Sequence, residues 1–484
     1  MRSHLAAVNE AVLEAASKPT VHTQMLTTRK NEMDWGIVGV SLRQPDTRDA
    51  LAPQEGLYTL AIRDADSNKQ PRQTLQVIGC VTGILVAPEN PQAVLERLAH
   101  SDTRVVSLTI TEKGYYYVPG SGVLQIEHPD ISHDLEHPDS PRTAIGFIVH
   151  GLQIRRQAGC GPLTLMSLDN LPSNGHLLKK LILTFAEKID QSLSRWIEKT
   201  CKFPCSMVDR IVPRTTPADQ HNISDALGLH DAWPVIGEPF LDWAIEDDFA
   251  AGRPDWSLGG ARFVESAAAW ETLKLRMVNG THSCIAYLGS VAGWKTVDIA
   301  IQQPDLRACI EALMRLEIEP TLPVLPGLDI AAYRTSLLER FANPALAHKT
   351  QQIAMDGSQK VPQRWLGTMS DQLHANREIN LLSLCLASWL RYLQGYEESG
   401  QTYEINDPLA QELKDALNVA PALYSDKQHC EHRALALCSF TPVFGGKSEM
   451  PDKRLVASIG HHLYLLNTLG VVQTIRQLLH PQAD

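Results

Sequence analysis

The stretch ETLKLRMVNGTHS, residues 271–283, places an amine, an amide and an imidazole within one short helical window. At about 100° per residue, with Lys274 as zero, Glu271 falls near 60°, His282 near 80° and Asn279 near 140°. These residues share one side, Gly280 and Thr281 keep the surface beside them small, and Leu273 and Met277 point the other way. A lysine partly sheltered by apolar neighbours is pushed toward its neutral form and can act as a general base. An ordinary amphipathic surface helix could carry the same residue types, so this window alone leaves both readings open.

Lys274, Asn279 and His282, spaced K-x4-N-x2-H within KLRMVNGTHS, resemble the catalytic signature of the polyol-specific long-chain dehydrogenases, the mannitol dehydrogenase and fructuronate reductase family. Other blocks resemble that family in the right order: SLTITEKGYY (107–116), MSLDNLPSNGH (166–176), FPCSMVDRIVP (203–213), EPFLDWAIEDDFAAGRPDW (238–256) and FANPALAHKTQQIAMDGSQKVPQR (341–364). The resemblance implies NAD-dependent, metal-independent interconversion of a secondary alcohol and a ketone on a linear sugar acid or polyol. D-Mannonate with D-fructuronate is the first expectation, and D-mannitol with D-fructose the alternative. By the same resemblance Lys274 takes the hydroxyl proton, and Asn170 and Asn279 donate hydrogen bonds to the developing alkoxide. His282 orients substrate hydroxyls, and Glu271 relays the proton to solvent. Asp209, its neighbour Arg210 in VDRIVP, and Lys360 in DGSQK fall on the substrate side. Without the family, Asp356-Gly357-Ser358 with Lys360 reads as a simple turn. Gln352 stands where mannitol-type members tend to carry arginine, and QIAMDGSQKVPQR looks more like the fructuronate reductase branch.

These groups need a scaffold. WGIVGVSL (35–42), RVVSLTI (104–110) and LTLMSL (163–168) read as buried strands, alternating with helical spacing in PQAVLERLAH (91–100) and HLLKKLILTFAEKI (176–189). That pattern predicts a parallel sheet flanked by helices. Ligands collect at the carboxyl ends of such strands, which makes Glu112, Asp169 and Asn170 candidates by position, the first two on the cofactor side. From about residue 266 long helical segments take over: LRACIEALMRL (306–316), IAAYRTSLLERFA (330–342) and REINLLSLCLASWLRYL (377–393). The expectation is an α/β Rossmann-type dinucleotide-binding domain over residues 1–265, followed by a mostly helical substrate-binding and catalytic domain over 266–484.

The N-terminus departs from the family. Members open with a strand and a glycine-rich turn that receives the dinucleotide pyrophosphate at a helix N-terminus, yet no glycine precedes Trp35. MRSHLAAVNEAVLEAASK reads as an amphipathic helix along Leu5, Val8, Val12 and Ala16, and TVHTQMLTTR as the remnant of the helix after the turn. The first strand and the turn are therefore expected to be missing. A truncated or misassigned start of a real enzyme is one explanation, and the intact Lys-Asn-His signature favours it. A non-catalytic sugar-acid-binding protein that has lost dinucleotide affinity is the other.

Composition narrows the classes. The chain has 484 residues, 44% hydrophobic and 20% charged, with a formal charge of −11, which fits an ordinary globular protein and argues against a nucleic-acid-binding surface. Its nine cysteines, scattered and odd in number, form no disulfide framework and fit a reducing cytoplasm. Glu10 and Glu14 interrupt any signal-like apolar core, and LLSLCLASWL (381–390) is too short to span a bilayer. The expected partner is a small sugar acid or polyol, on a monomer or weak oligomer that binds neither nucleic acid nor membrane. HPDISHDLEHPD (128–139), HCEH (429–432) and the Cys201–Cys205 pair match no metal-ligand spacing, so no metal is expected.

Overall fold

The computed structural model describes residues 8–14, 35–65, 71–118, 121–325, 327–417, 426–445 and 452–480. The chain forms two compact units, one of Met1–Arg63 with Arg72–Glu271, the other of Asp64–Pro71 with Thr272–Asp484.

The first unit is built on a five-stranded parallel sheet. Across it run Val81–Val86, Gly36–Ser41, Val8–Glu14, Val105–Thr109 and Thr164–Ser167. Numbered along the chain, that order is 3-2-1-4-5, five of the six strands of the 3-2-1-4-5-6 dinucleotide-binding sheet. The three apolar runs read as strands all form strands here. Helices Pro91–Ala99, Ala144–Gln157 and Asn174–Ile189 close on the sheet, and their Leu95, Phe147, Leu178 and Phe185 share one core with Val106 and Leu108.

One expectation is corrected. The first strand is present: Val8–Glu14 pairs in parallel with Gly36–Ser41 on one side and Val105–Thr109 on the other, Val12 lying opposite Gly39 and Ser107. Local composition, rich in Ala, Leu and Glu, favours a helix. Two strands with unpaired inner edges favour a strand, and the backbone hydrogen bonds of both neighbours outweigh a propensity worth a few tenths of a kcal/mol per residue. The expected loss of the glycine-rich turn, and the TVHTQMLTTR segment, fall on residues outside the described ones.

Three smaller sheets accompany the five-stranded one, one of them the antiparallel pair Tyr117–Val118 and Val123–Leu124. Ser206–Asp209 runs antiparallel to Asp242–Glu246, which is parallel to Arg262–Val264, and Val235–Gly237 pairs in parallel with Tyr58–Ala65.

Beyond Val264 the described residues form helices and turns with only isolated bridges. In the second unit the run LLSLCLASWL lies in helix Asn380–Tyr392, buried from Leu381 to Tyr392. No helix among the described residues is long and apolar enough to cross a membrane. The N-terminus of that buried helix has no Ser, Thr or Asp cap. Instead Glu317 reaches it from a π-helical turn, Leu313–Ile318, and accepts the Leu381 N–H at 2.8 Å and the Leu382 N–H at 2.7 Å.

Burial outweighs those two donors and pushes the Glu317 carboxyl up to about 7. A carboxyl raised in the folded state lends stability that is complete below its unfolded value and is lost as pH rises through the folded one, a swing on the order of 3 kcal/mol here. Glu317→Gln turns one acceptor into a donor facing an N–H, a cost of about 1–3 kcal/mol that does not titrate. The variant is expected to melt well below the parent at pH 5, the gap narrowing by pH 8. Equal gaps at the two pH values would remove Glu317 as the titrating group.

Candidate active site

The proposed lysine helix is not uniform. Helix Ala268–Leu273 widens into a π-helix over Lys274–Gly280 and returns to α form over Thr281–Ala292. The i→i+5 pattern of a π turn stacks Asn279 above Lys274, so the two share a face more closely than uniform α spacing gives. Widened turns strain the backbone ladder, and partners from outside support this one. Arg364 Nη1 donates to the Asn279 carbonyl at 3.3 Å and to Ser283 Oγ at 2.6 Å, and the buried Trp365 Nε1 donates to the Gly280 carbonyl at 3.0 Å. Both come from the adjoining segment Pro362–Leu366, itself a π turn. Lys274 is buried, only 8% exposed, whereas Asn279 is half-buried.

His282 follows on the α segment. Its ring stacks on Phe341 at 5.1 Å and meets His348 edge-on at 5.3 Å. Burial, and after it His348, Arg364, Arg340 and Lys360, hold the imidazole well below its ordinary range, so it is neutral near pH 7. Its Nε2 is buried without a hydrogen-bond partner among the described residues. An orphaned nitrogen of this kind has a cost unless a ligand satisfies it.

Lys360 lies on the short helix Gly357–Val361, so DGSQK is a helix start and not a simple turn, entered through Asp356 in a left-handed conformation at φ +56°. Its ammonium donates to the carbonyls of Ile353 at 3.1 Å and Met355 at 2.6 Å. Gly357 is obligatory, because a Cβ there would lie 2.5 Å from Trp389 Nε1 and 2.7 Å from the Tyr287 hydroxyl. Gln352 is exposed on helix Thr350–Ala354.

In the first unit the candidates cluster at the carboxyl ends of the last two strands. Asp169 accepts the Ile110 N–H at 2.9 Å, the Thr111 N–H at 3.1 Å and the Tyr115 hydroxyl at 2.7 Å, tying the loop after one strand to the loop after the next. Burial pushes its carboxyl up against those donors. With both oxygens so engaged, Asp169 shapes the loop that exposes Glu112, beyond Thr111 at φ +60°. Asn170 is exposed next to it. Glu271 accepts the N–H of Ser173 at 2.9 Å, a residue at φ +48°.

Asp209 ends its strand opposite Asp242 and both are buried; Arg262 Nε holds Asp242 at 3.0 Å. Arg210 spans to the Glu238 carbonyl, at 2.9 Å from Nε and 2.7 Å from Nη2.

Sequence reading passed over several groups. Buried Asn174 donates to the carbonyls of Ser167 and Ser206, each at 2.9 Å, and so fixes the DNLPSN turn. Arg340, His348 and Arg364 surround His282, and their place in or beside the FANPALAH…VPQR block was the available signal. The histidine-rich 128–139 segment is structural: Asp134 accepts the N–H groups of Arg142 and Thr143 at 2.7 and 2.8 Å, and His133 stacks on His137 at 4.3 Å.

Comparison with known proteins agrees with this architecture. Residues 15–258 match the mannitol dehydrogenase Rossmann domain and residues 267–440 the mannitol dehydrogenase C-terminal domain. The D-mannonate oxidoreductase of Escherichia coli is 43% identical over 388 residues, 79% of each chain. Mannitol dehydrogenase DSF1 of Saccharomyces cerevisiae is 38% identical over 452 residues, 92% of this chain and 86% of that one. A solved structure of Pseudomonas fluorescens mannitol 2-dehydrogenase, a ternary complex with NAD and D-mannitol, superposes with a TM-score of 0.85 at 34% identity, covering 99% of this chain and 96% of that one. The sheet order is thus that of a Rossmann-type oxidoreductase, and the chain belongs to the mannitol dehydrogenase family.

Proposed function

We propose that this protein interconverts a secondary alcohol and a ketone on a linear sugar acid, D-mannonate and D-fructuronate being the favoured pair, with NAD as redox partner. The observation that carries the sugar-acid reading is the surroundings of His282, where the groups that act most strongly on the buried imidazole are His348, Arg364, Arg340 and Lys360, with no carboxylate among them. A substrate carboxylate gains from such surroundings, and a neutral polyol gains little. The chain's overall charge of −11 makes that local reversal of sign the more telling.

The sheet fits a dinucleotide, since its order reverses beside Val8–Glu14 and the Thr111–Glu112 and Asp169–Asn170 loops follow the adjoining strand ends. Glu112 and Asp169 belong to that cofactor side, Glu112 directly and Asp169 by holding the loop. NAD, when bound, supplies the hydride acceptor. Lys274 in its neutral form takes the substrate hydroxyl proton, and Glu271 passes it on toward solvent. Asn279 and Asn170 donate hydrogen bonds to the oxygen as it becomes negative. Neutral His282 offers Nε2 to a neighbouring hydroxyl, while Asp209, Arg210, Gln352 and Lys360 position the rest of the chain. In this reading residues 1–265 hold the dinucleotide and lend Asn170, Asp209 and Arg210 to the substrate, while residues 266–484 supply the base and the remaining substrate contacts. The nine scattered cysteines suit a cytoplasmic enzyme.

The test is NADH oxidation with D-fructuronate against D-fructose. The expected result is a kcat/KM at least about tenfold higher for the uronate, the worth of one charge-assisted contact. Preference for fructose would assign the protein to mannitol.

A further inference from the structure

Three chemically different ligand groups meet in the first unit, and the reaction proposed above uses none of them. His176, Cys205 and Glu246 each present one ligand atom, and these atoms lie within 4.8 Å of one another. They come from separate elements: the first turn of helix Asn174–Ile189, the residue before strand Ser206–Asp209, and the last residue of strand Asp242–Glu246. No sequence motif shows them, since 29 and 41 positions separate them (205 − 176 and 246 − 205).

Two of the three are locked in place. Glu246 Oε2 accepts the Cys205 N–H at 2.8 Å, and the Glu246 N–H returns a bond to the Cys205 carbonyl at 3.0 Å. Oε1 accepts the Ala267 N–H at 3.2 Å, which leaves each oxygen a further lone pair. The backbone N–H groups of Gly175 and His176 turn toward the Cys205 sulfur. They approach this closely because residue 175 is glycine, a Cβ there lying 2.4 Å from the Phe203 carbonyl oxygen. Cys205 is buried, Glu246 half-buried and His176 exposed, so the third ligand is the movable one and faces solvent.

We propose that His176, Cys205 and Glu246 form a binding site for a divalent cation of the zinc class, with water as the fourth ligand. Sulfur, nitrogen and carboxylate oxygen in one tetrahedral set are what zinc prefers over magnesium or calcium. Bonds of roughly 2.0–2.3 Å bring tetrahedral ligand atoms to about 3.3–3.8 Å from one another, so the cluster must contract by about 1 Å. Rotation of the exposed His176 side chain supplies that. On binding, a metal–sulfur bond forms, the Cys205 proton leaves to solvent and hydrating waters are released; no electron is transferred.

The full chain, stripped with a chelator and desalted, is titrated with Co2+ and followed by absorbance, then challenged with Zn2+. One equivalent of Co2+ is expected to bind with an intense near-ultraviolet thiolate-to-cobalt band that Zn2+ abolishes. Cys205→Ser is expected to lose the band. His176→Asn, an exposed change that leaves the circular dichroism spectrum intact, is expected to weaken binding by at least about tenfold. Failure to bind, cobalt bound without the band, a band that survives in Cys205→Ser, or unchanged affinity in His176→Asn would each overturn the site.

Discussion

Lys274→Ala is expected to lower kcat by about 10²- to 10⁴-fold, the range for losing a general base. The amine opens the π-helix and is buried at 8% exposure. The π turn itself is held by Arg364 and Trp365 through the Asn279 and Gly280 carbonyls. Truncation therefore removes the amine and some packing without dismantling the helix. Lys274→Met separates these effects, because it keeps most of the apolar stem and lacks the amine. Both variants are expected to show the same deep loss of turnover with near-parental melting, and exogenous methylamine is expected to restore part of the alanine variant's rate. Turnover close to the parent's in either variant would remove Lys274 from the role of base.

Asn279→Ala and Asn170→Ala form the second large effect. Each amide is assigned to the alkoxide, which is more negative in the transition state than in the bound alcohol, so each truncation is expected to lower kcat more than it raises KM. One oxyanion donor is worth on the order of 3 kcal/mol, or about 10²-fold. The Asn279 variant is informative because its carbonyl, not its side chain, bonds Arg364. Support of the π turn survives the substitution. A change confined to KM would reduce both residues to substrate positioning.

Much of this was legible in the sequence where pattern and packing agree. The runs around Gly36–Ser41, Val105–Thr109 and Thr164–Ser167 are apolar and bounded by polar turns, and each is a strand. Segment 8–14 was illegible because its composition favours a helix while its pairing is set by Gly36–Ser41 and Val105–Thr109, far along the chain. The π geometry escaped for a similar reason: nothing in KLRMVNG signals a wider turn, and the donors that support it stand at positions 364 and 365. Asp169 looked like a ligand contact from its place at a strand end, whereas its oxygens join two loops of the protein itself. His282 stood out by its spacing together with the family resemblance of KLRMVNGTHS. Its neutrality and its cationic surroundings depend on residues 340, 348, 360 and 364, which only the fold brings near.

The most direct measurement of the central claim follows the hydride itself. The protein is incubated with D-fructuronate and NADH carrying deuterium in place of both hydrogens at the reactive nicotinamide carbon, and the products are read by mass spectrometry. The account predicts D-mannonate one mass unit heavier than that formed from ordinary NADH, in amounts equal to the NAD produced. Unlabelled product, or NADH left unconsumed with both the uronate and D-fructose, would contradict it.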